Sequence, residues 1–419
     1  MKTVIERHKQ FLDKIPAHLM GVGGTTPIEI AEKFIEIFKP HIDFSLPDLK
    51  FADKCSGFGT FGLVVSKEIQ DTGNSSKGKL YLNDISKFKC DVVKKKVVTD
   101  AIVSNEDYLT MVEDMMFDFG LINPPYHGKG NMDLQFILKL WQEIRKVLGA
   151  LHRSNYLLSG NETPNSVELD MIKLVEEYYT EILLIDGNKY FSKYAKKDMF
   201  PTPLSMTTIW KRKSPDIVVT SEYFDTSVSR TYTSVSDINI HVNPIADRIR
   251  KKIQKINKVS LLDMSTRNKR YKNKKGYYVT FPALGGHPPR EFGKAHPDCY
   301  TLVTKENEFN PEKVIFDNYD NLPGKRRGGT GKRGIWVGSK QEAYNLFKTM
   351  KSKFYRIAFS FEKIGLNIWS GSMLKSIPYL DYTQEWNDEK LYKYADFNDE
   401  DIEYLENFLG EWYESDQPQ

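Results

Sequence analysis

Between about residue 25 and residue 210, apolar positions recur alternately at helical spacing and in short continuous runs, the order that builds a parallel sheet with helices on its faces. Ile28–Phe38 reads as an amphipathic helix opened by Thr25-Thr26-Pro27, where a threonine hydroxyl can cap and proline suits the first turn. A short strand near Leu49–Ala52 runs into Asp53-Lys54-Cys55-Ser56-Gly57-Phe58-Gly59-Thr60-Phe61 and a helix from about Gly62. Further strands are predicted at Leu80–Leu82, ending on Asn83-Asp84, at Asp100–Val103, ending on Asn105-Glu106-Asp107, and at Phe119–Ile122, ending on Asn123-Pro124-Pro125-Tyr126. Lys89–Lys96 reads as a solvated helix face over a core stripe that includes Val92 and Val93. Residues 130–150 read as one helix on the spacing of Leu134, Ile137, Leu138, Trp141, Ile144, Val147 and Leu148. Val167–Tyr179 reads as another, before strands at Glu181–Ile185 and Leu204–Trp210. The fold class is α/β, with polar groups gathered where strands end, the edge at which open α/β sheets bind ligands.

At 419 residues, 40% hydrophobic and 28% charged, the chain is longer than one compact domain and too apolar for disorder throughout. No apolar run approaches the roughly 20 residues of a membrane helix, and the charged start lacks the apolar core of a signal peptide, so a cytoplasmic protein without a membrane partner is expected. Three cysteines without CxxC spacing support neither a disulfide framework nor a zinc knuckle. His296 and Cys299 share a segment without further ligands, and no metal is expected. The 60 Lys and Arg nearly balance the 56 Asp and Glu, which conceals an asymmetry along the chain. Lys251–Lys275 holds eight Lys and two Arg against one Asp, Gly324–Gly334 holds five cations among glycines, and residues 381–419 hold thirteen acids against two Lys. Glycine in a basic loop lets the backbone approach a phosphate chain, and clustered cations supply salt-dependent attraction to nucleic acid. Lys269, Arg270, Lys272, Lys274, Lys275, Lys325, Arg326, Arg327, Lys332 and Arg333 are the candidate contacts.

The Asp53-x-x-x-Gly57-x-Gly59 loop, between a strand and a helix, turns tightly and brings main-chain amides to a ligand. Asp84, at the end of the next strand, is placed to accept both hydroxyls of a ribose, and Asp107 offers an acceptor for an adenine amino group. In Asn123-Pro124-Pro125-Tyr126 the prolines fix φ twice and remove two amide donors, so the Asn123 side chain and the Pro124 carbonyl can face one small space. This pair of acceptors matches an exocyclic amine, whose lone pair is then directed at a methyl donor, and Tyr126 offers a flat face for a base. His127 is expected to contact solvent or phosphate, because displacement by a neutral amine needs no strong base.

Thr26-Pro27 ahead of a helix, the glycine loop, Asp84, Asp107, Asn123–Tyr126 and Asp198-Met199-Phe200-Pro201 ahead of a strand together resemble the ordered motifs of S-adenosylmethionine-dependent DNA adenine-N6 methyltransferases. The arrangement is similar to the γ class, in which a target recognition domain follows the catalytic one. The likeness covers roughly residues 20–215, about half the chain, and NPPY is its most specific part. It implies a Rossmann-like methyltransferase domain over residues 1–245, a basic DNA-recognition domain of mixed α+β structure over 246–380, and an acidic helical tail over 381–419. S-adenosyl-L-methionine is the implied cofactor and double-stranded DNA the implied partner, with room for a cognate restriction endonuclease. Thr26 and Pro27 would close over the cofactor, the loop with Asp53, Gly57, Gly59 and Phe61 would hold its methionine portion, Asp84 its ribose and Asp107 its adenine, with Ile85 and Asn123 completing the set. Asn123, Pro124, Pro125 and Tyr126 form the implied catalytic motif, and Tyr126 and Phe200 would sandwich an adenine flipped out of the duplex. Lys54 stands where the family commonly has proline. Protein glutamine N5-methyltransferases also resemble the glycine loop and NPPY, but have little use for a basic second domain or Phe200-Pro201. An RNA adenine substrate stays open, since a positive groove does not distinguish the polymers. So does a binding module that keeps the fold without turnover.

Overall fold

The computed structural model describes residues 4–15, 25–126, 131–158, 164–191, 203–222, 228–239, 241–265, 268–271, 274–279, 315–316, 334–350, 352–362 and 371–413. The chain divides into two compact units, the first from 1–157, 163–222 and 229–238, the second from 158–162, 223–228 and 239–419. In the first unit the elements are α1 (Val4–Leu12), α2 (Ile28–Phe38), β1 (Phe51–Asp53), α3 (Thr60–Asp71), β2 (Leu80–Asn83), α4 (Lys87–Val92), β3 (Ile102–Ser104), β4 (Phe117–Ile122), α5 (Met132–Glu143), β5 (Ile144–Arg153), α6 (Asn155–Leu158), α7 (Ser166–Glu177), β6 (Tyr178–Ile185), α8 (Gly187–Phe191), β7 (Leu204–Lys213), β8 (Ile217–Ser221) and β9 (Ser229–Tyr232). They build one sheet of nine described strands in the order β3-β2-β1-β4-β5-β7-β6-β8-β9. Strands β3, β2, β1, β4 and β5 run parallel, and β7 runs antiparallel to both of its neighbours. The chain moves outward from β1 to β2 and β3, then returns to the other side of β1 as β4. Strand order therefore reverses between β1 and β4, which opens a crevice at the carboxyl ends of the strands.

Helix α2 covers one face of the sheet with buried Ile28, Ala31, Phe34, Ile35 and Phe38. Phe38 meets Phe119 and Trp210 edge-on, and Phe34 meets Phe61 in the same way. Each of the buried phenylalanines contributes about 1.5–3 kcal/mol relative to exposure. Pro27, not a threonine, occupies the capping position of α2, which has no side-chain cap; the Thr26 hydroxyl is engaged elsewhere.

The single helix expected over residues 130–150 is corrected by the structure. Helix α5 stops at Glu143, and Ile144–Arg153 is a central strand between β4 and β7. Val147–His152 is buried throughout, so its apolar run is continuous and satisfies helical spacing as well as a two-sided strand. Gly149 marks the difference: a Cβ there would lie 2.5 Å from Leu121 Cδ2 and 2.8 Å from Phe34 Cδ1, so only glycine lets β5 pass this close. Strands β8 and β9 lie beyond the predicted elements and extend the sheet past β6.

The second unit contains α9 (Pro244–Ile256), β10 (Tyr277–Val279), β11 (Ile315–Phe316), β12 (Ile335–Val337), α10 (Lys340–Met350), α11 (Lys353–Glu362), α12 (Gly371–Ser376), α13 (Asp388–Tyr394) and α14 (Asp399–Tyr413). The strands form an antiparallel sheet in the order β11-β10-β12, and the unit is α+β. Its core joins Ile249 and Ile253 of α9 to Phe354 and Ile357 of α11, Leu391 of α13 and Leu405 of α14. The acidic C-terminal segment is part of this core. Asp401, fully buried, accepts from Arg248 Nε and Lys252 Nζ, both at 2.7 Å, while Arg248 Nη2 reaches Glu400 at 2.6 Å. Asn398 and Asp401 also cap α14 reciprocally, each side chain accepting the other's backbone N–H. Burial pushes the Asp401 carboxyl up, but the hydrogen bonds from Lys252 and Arg248 outweigh it and hold the pKa below the ordinary value.

A depressed carboxylate pKa gives stability that is present above the unfolded value and is lost as pH falls through the folded one. Asp401→Asn is therefore expected to destabilise the protein by about 1–3 kcal/mol at pH 7, with the deficit closing below about pH 4, in urea unfolding monitored across pH.

Candidate active site at the strand ends

Strand β1 delivers Asp53, fully buried, to the crevice. The loop beyond it turns through Gly57 at φ 54° and Gly59 at φ 80°, left-handed conformations suited to glycine. Gly59 caps α3, and a Cβ there would also press within 3.2 Å of Val93 Cγ2. Backbone bonds fix the turn: Ser56 N–H donates to Asn83 O at 2.9 Å and Gly59 N–H to Ser56 O at 2.7 Å. Asp84, half-buried, accepts from Gly57 N–H through Oδ2 at 2.9 Å and from Ser86 N–H through Oδ1 at 2.8 Å. Each of its oxygens keeps a second lone pair. The glycine loop and Asp84 are thus brought together.

Asn83, which the sequence marks only as a strand end, proves to be the tie between strands. It is 1% exposed, and its carboxamide donates to Glu106 O at 3.0 Å while accepting from Glu106 N–H at 3.1 Å and from Ser104 Oγ at 2.9 Å. The amide thereby extends the β2–β3 ladder by a side chain. An asparagine ending a buried strand next to an acid is the signal that could have found it. Asp107 is exposed and its Oδ1 accepts from Leu109 N–H at 3.1 Å, which closes its own turn. Ile85 presents an apolar side chain that is 73% exposed, whereas Phe61 is buried in the core against Phe34.

The Asp53 carboxylate is the electrostatic singularity of the crevice. Oδ1 accepts from Cys55 N–H at 3.2 Å, while Oδ2 is buried without a hydrogen-bond partner. Burial raises its pKa well above the usual carboxylate range, against the Cys55 hydrogen bond, and the charge of Asp84 adds to the rise. Neighbouring Lys54 does not fill the gap. Its Nζ pairs with Glu113 at 2.6 Å and sits 4.6 Å from the Phe117 ring centre, tying the loop to the segment that precedes β4. Helix α1, absent from the predicted elements, reaches the start of α3: His8 Nε2 lies 3.3 Å from Thr60 Oγ1, and burial lowers its pKa to about 4, so the ring is neutral at pH 7. Phe11 of α1 meets Phe58 of the glycine loop edge-on.

Across the crevice, β4 ends in Asn123, which is 4% exposed. Its Nδ2 donates to Thr26 Oγ1 at 3.0 Å and its Oδ1 accepts from the Tyr126 hydroxyl at 2.5 Å. Thr26 therefore meets the NPPY segment, and the Asn123 carboxamide has a fixed orientation. Pro124 is buried and Pro125 half-buried. The Tyr126 ring is 5% exposed and packs in the core, and burial raises the pKa of its phenol. Beside it, Arg153 at the end of β5 donates through Nε and Nη2 to the two oxygens of Asp133 in the first turn of α5, at 3.1 and 2.8 Å.

In the second unit Lys269, Arg270, Lys274 and Lys275 lie exposed on the turn that leads into β10. Tyr271 and Trp336 stack at 5.4 Å, and Lys274 Nζ sits 3.4 Å from the Trp336 ring centre. Phe200, His127, Lys272, His296, Cys299 and the basic loop with Lys325, Arg326, Arg327, Lys332 and Arg333 lie outside the described residues. Among the described residues no cluster of three or more His, Cys, Asp or Glu is arranged for a metal ion, and no helix is long and apolar enough to cross a membrane.

No protein-family model matches the chain, and no curated protein matches it. Solved structures similar to it include the methyltransferase subunit of a type I restriction-modification system from Streptococcus thermophilus, at 12% identity and a TM-score of 0.38, covering 50% of this chain and 49% of that one. A chain of another type I restriction-modification system matches at 11% identity and a TM-score of 0.41, over 51% of this chain and 47% of that one. The type IIG restriction endonuclease BpuSI matches at 12% identity and a TM-score of 0.41, over 94% of this chain and 66% of that one. The chain thus spans about half the length of the two type I chains, and likenesses with TM-scores this low carry no functional argument.

A carboxylate whose pKa is raised by burial costs folding free energy as pH rises from the unfolded value through the folded one. Asp53→Asn keeps the acceptor for Cys55 N–H and removes that cost. The variant is expected to unfold at higher temperature than the wild type without ligand, by on the order of 1 kcal/mol at pH 8, with the difference shrinking toward pH 4. A variant less stable than wild type across this range shows that the charge is not under strain.

Proposed function

We propose that the protein is a site-specific DNA methyltransferase that transfers a methyl group from S-adenosyl-L-methionine to the N6 amino group of an adenine rotated out of the duplex. The observation that carries this reading is a juxtaposition at the reversal of strand order. An unpartnered, buried carboxylate oxygen on Asp53 stands at the end of β1, and an oriented Asn123 carboxamide stands at the end of the adjacent β4.

The residues fit the cofactor. A buried carboxylate oxygen without a donor is matched by the α-ammonium of a methionine moiety, which supplies charge and N–H donors together. Asp84 keeps lone pairs for ribose hydroxyls, the glycine loop lets backbone amides approach, and exposed Ile85 offers an apolar face to the adenine ring. Bound there, S-adenosyl-L-methionine supplies an electrophilic methyl group. Asn123 Oδ1 and the Pro124 carbonyl are the two acceptors assigned to the N–H groups of the target amine, Asn123 Oδ1 exchanging its bond from Tyr126 for one of them when the Tyr126 ring moves onto the base. Those two acceptors orient the amine and stabilise positive charge as it develops on nitrogen, so catalysis is mainly positioning and electrostatics. Tyr126 stacks on a base only after its ring leaves the core, which breaks its bond to Asn123; Phe200 is assigned the second face of the sandwich. The exposed cations before β10, next to the Tyr271–Trp336 stack, supply phosphate contacts in the recognition unit.

The test is transfer of labelled methyl from S-adenosyl-L-methionine to duplex DNA, followed by hydrolysis to nucleosides. N6-methyldeoxyadenosine is the expected product; label in RNA or in a protein glutamine instead overturns the reading. Asn123→Ala is expected to lower turnover by about 10²–10³-fold while cofactor affinity measured by calorimetry stays nearly constant. A proton on Asp53 competes with the ammonium, so affinity for the cofactor should fall as pH drops through the raised Asp53 pKa, by about tenfold per unit below it, and the Asp53→Asn variant should show no such slope.

A further inference from the structure

One charged group at the same strand edge has no part in the reaction described so far. Arg153 is the last residue of β5, paired with Leu204 at the start of β7, and the β4–β5 register that sets Ile122 beside Ala150 carries it to the edge where Asn123–Tyr126 emerges. The Tyr126 hydroxyl also contacts Leu151 O, at 3.5 Å, two residues before it. The guanidinium is held as a fork by Asp133, whose side chain is only 2% exposed, and Arg153 itself remains 31% exposed. Of its five N–H donors the fork consumes two, one on Nε and one on Nη2, and the other three, on a rigidly oriented and always charged plane, have no partner among the described residues. A buried carboxylate that needs only neutralising is served by a buried partner. This cation instead keeps about a third of its side-chain surface exposed at the strand edge where Asn123–Tyr126 emerges.

Resting on the function proposed above, we propose that Arg153 binds a phosphate of the DNA strand flanking the extruded adenine, with Asp133 as the positioning residue that sets the guanidinium plane. Rotating a nucleotide out of the stack drags its two phosphates toward the protein, and a planar fork with paired N–H donors is the group best matched to them. The contact fixes where the sugar-phosphate chain enters, and so the register of the amine against Asn123, without reading sequence.

The experiment compares the full-length wild type, Asp133→Asn, and the double variant Arg153→Gln/Asp133→Asn, so that the cost of altering the buried pair cancels between the last two. Substrates are an unmethylated duplex carrying the site that the wild type modifies and the same duplex with neutral methylphosphonates on either side of the target adenine. The double variant is expected to lose about tenfold in kcat/KM relative to Asp133→Asn, with the slope of DNA affinity against salt reduced by about one unit and cofactor affinity unchanged. One of the two methylphosphonates should slow the wild type by about tenfold and the double variant hardly at all, because the interaction it removes is already absent. If the double variant equals Asp133→Asn in rate and salt slope, or if methylphosphonates harm both proteins alike, Arg153 only neutralises Asp133 and the inference is overturned. A wild type that binds cofactor but methylates no DNA overturns the function as well, an outcome distinct from an active wild type whose Arg153 is dispensable.

Discussion

The fold commits a carboxylate to a place where water does not reach one of its oxygens. Asp53 ends the strand about which the order of the sheet reverses, and Oδ2 there finds no donor among the described residues. Nearby groups are arranged so as not to supply one: Lys54 is drawn away by Glu113, Gly57 N–H is spent on Asp84, and His8 is held neutral against Thr60. Leaving a buried polar atom unpaired costs on the order of 1–3 kcal/mol. Such a cost persists in a fold when something outside the chain relieves it, and the loop that follows Asp53 turns through two left-handed glycines, Gly57 and Gly59.

The opposite wall of the crevice is neutral and rigid where the first is charged and unsatisfied. Asn123 is clamped from both sides, by Thr26 ahead of α2 and by Tyr126 of its own turn, and the Thr26 hydrogen bond keeps the carboxamide oriented even when the Tyr126 bond is given up. In the second unit much of the apparent basicity is answered internally. Arg248 and Lys252 of α9 are taken up by Glu400 and Asp401 at the start of α14, where acidic side chains also favour the helix dipole. In the turn into β10, Lys269, Arg270, Lys274 and Lys275 are exposed, and Lys274 lies over Trp336.

Much of this was legible in the sequence. The bounds of Ile28–Phe38 as a helix are those observed, and the strands that end in Asp53, Asn83 and Ile122 were placed to within two residues, because each couples an apolar run to a polar end. Glycine-loop backbone, Asp84, Thr26 and Asn123 do converge at one edge. What escaped was of two kinds. Strand β5 was hidden because a strand buried on both faces has no alternation, and only the contact between Gly149 and Leu121 separates it from a helix. Asn83, His8 and the inward rotamer of Tyr126 depend on partners 23, 52 and 3 residues away whose approach only the folded chain reveals. Asp107 satisfies a turn and Phe61 the core, uses that local spacing does not distinguish from ligand contact.

The central claim, that the strained carboxylate and the clamped amide face a common ligand, is tested most directly by a crystal structure with S-adenosyl-L-homocysteine bound. The account predicts the amino group of its homocysteine part about 3 Å from Asp53 Oδ2, ribose hydroxyls on Asp84, and the sulfur turned toward Asn123. A bound ligand that leaves Asp53 Oδ2 without a donor, or that lies away from the crevice between β1 and β4, contradicts it.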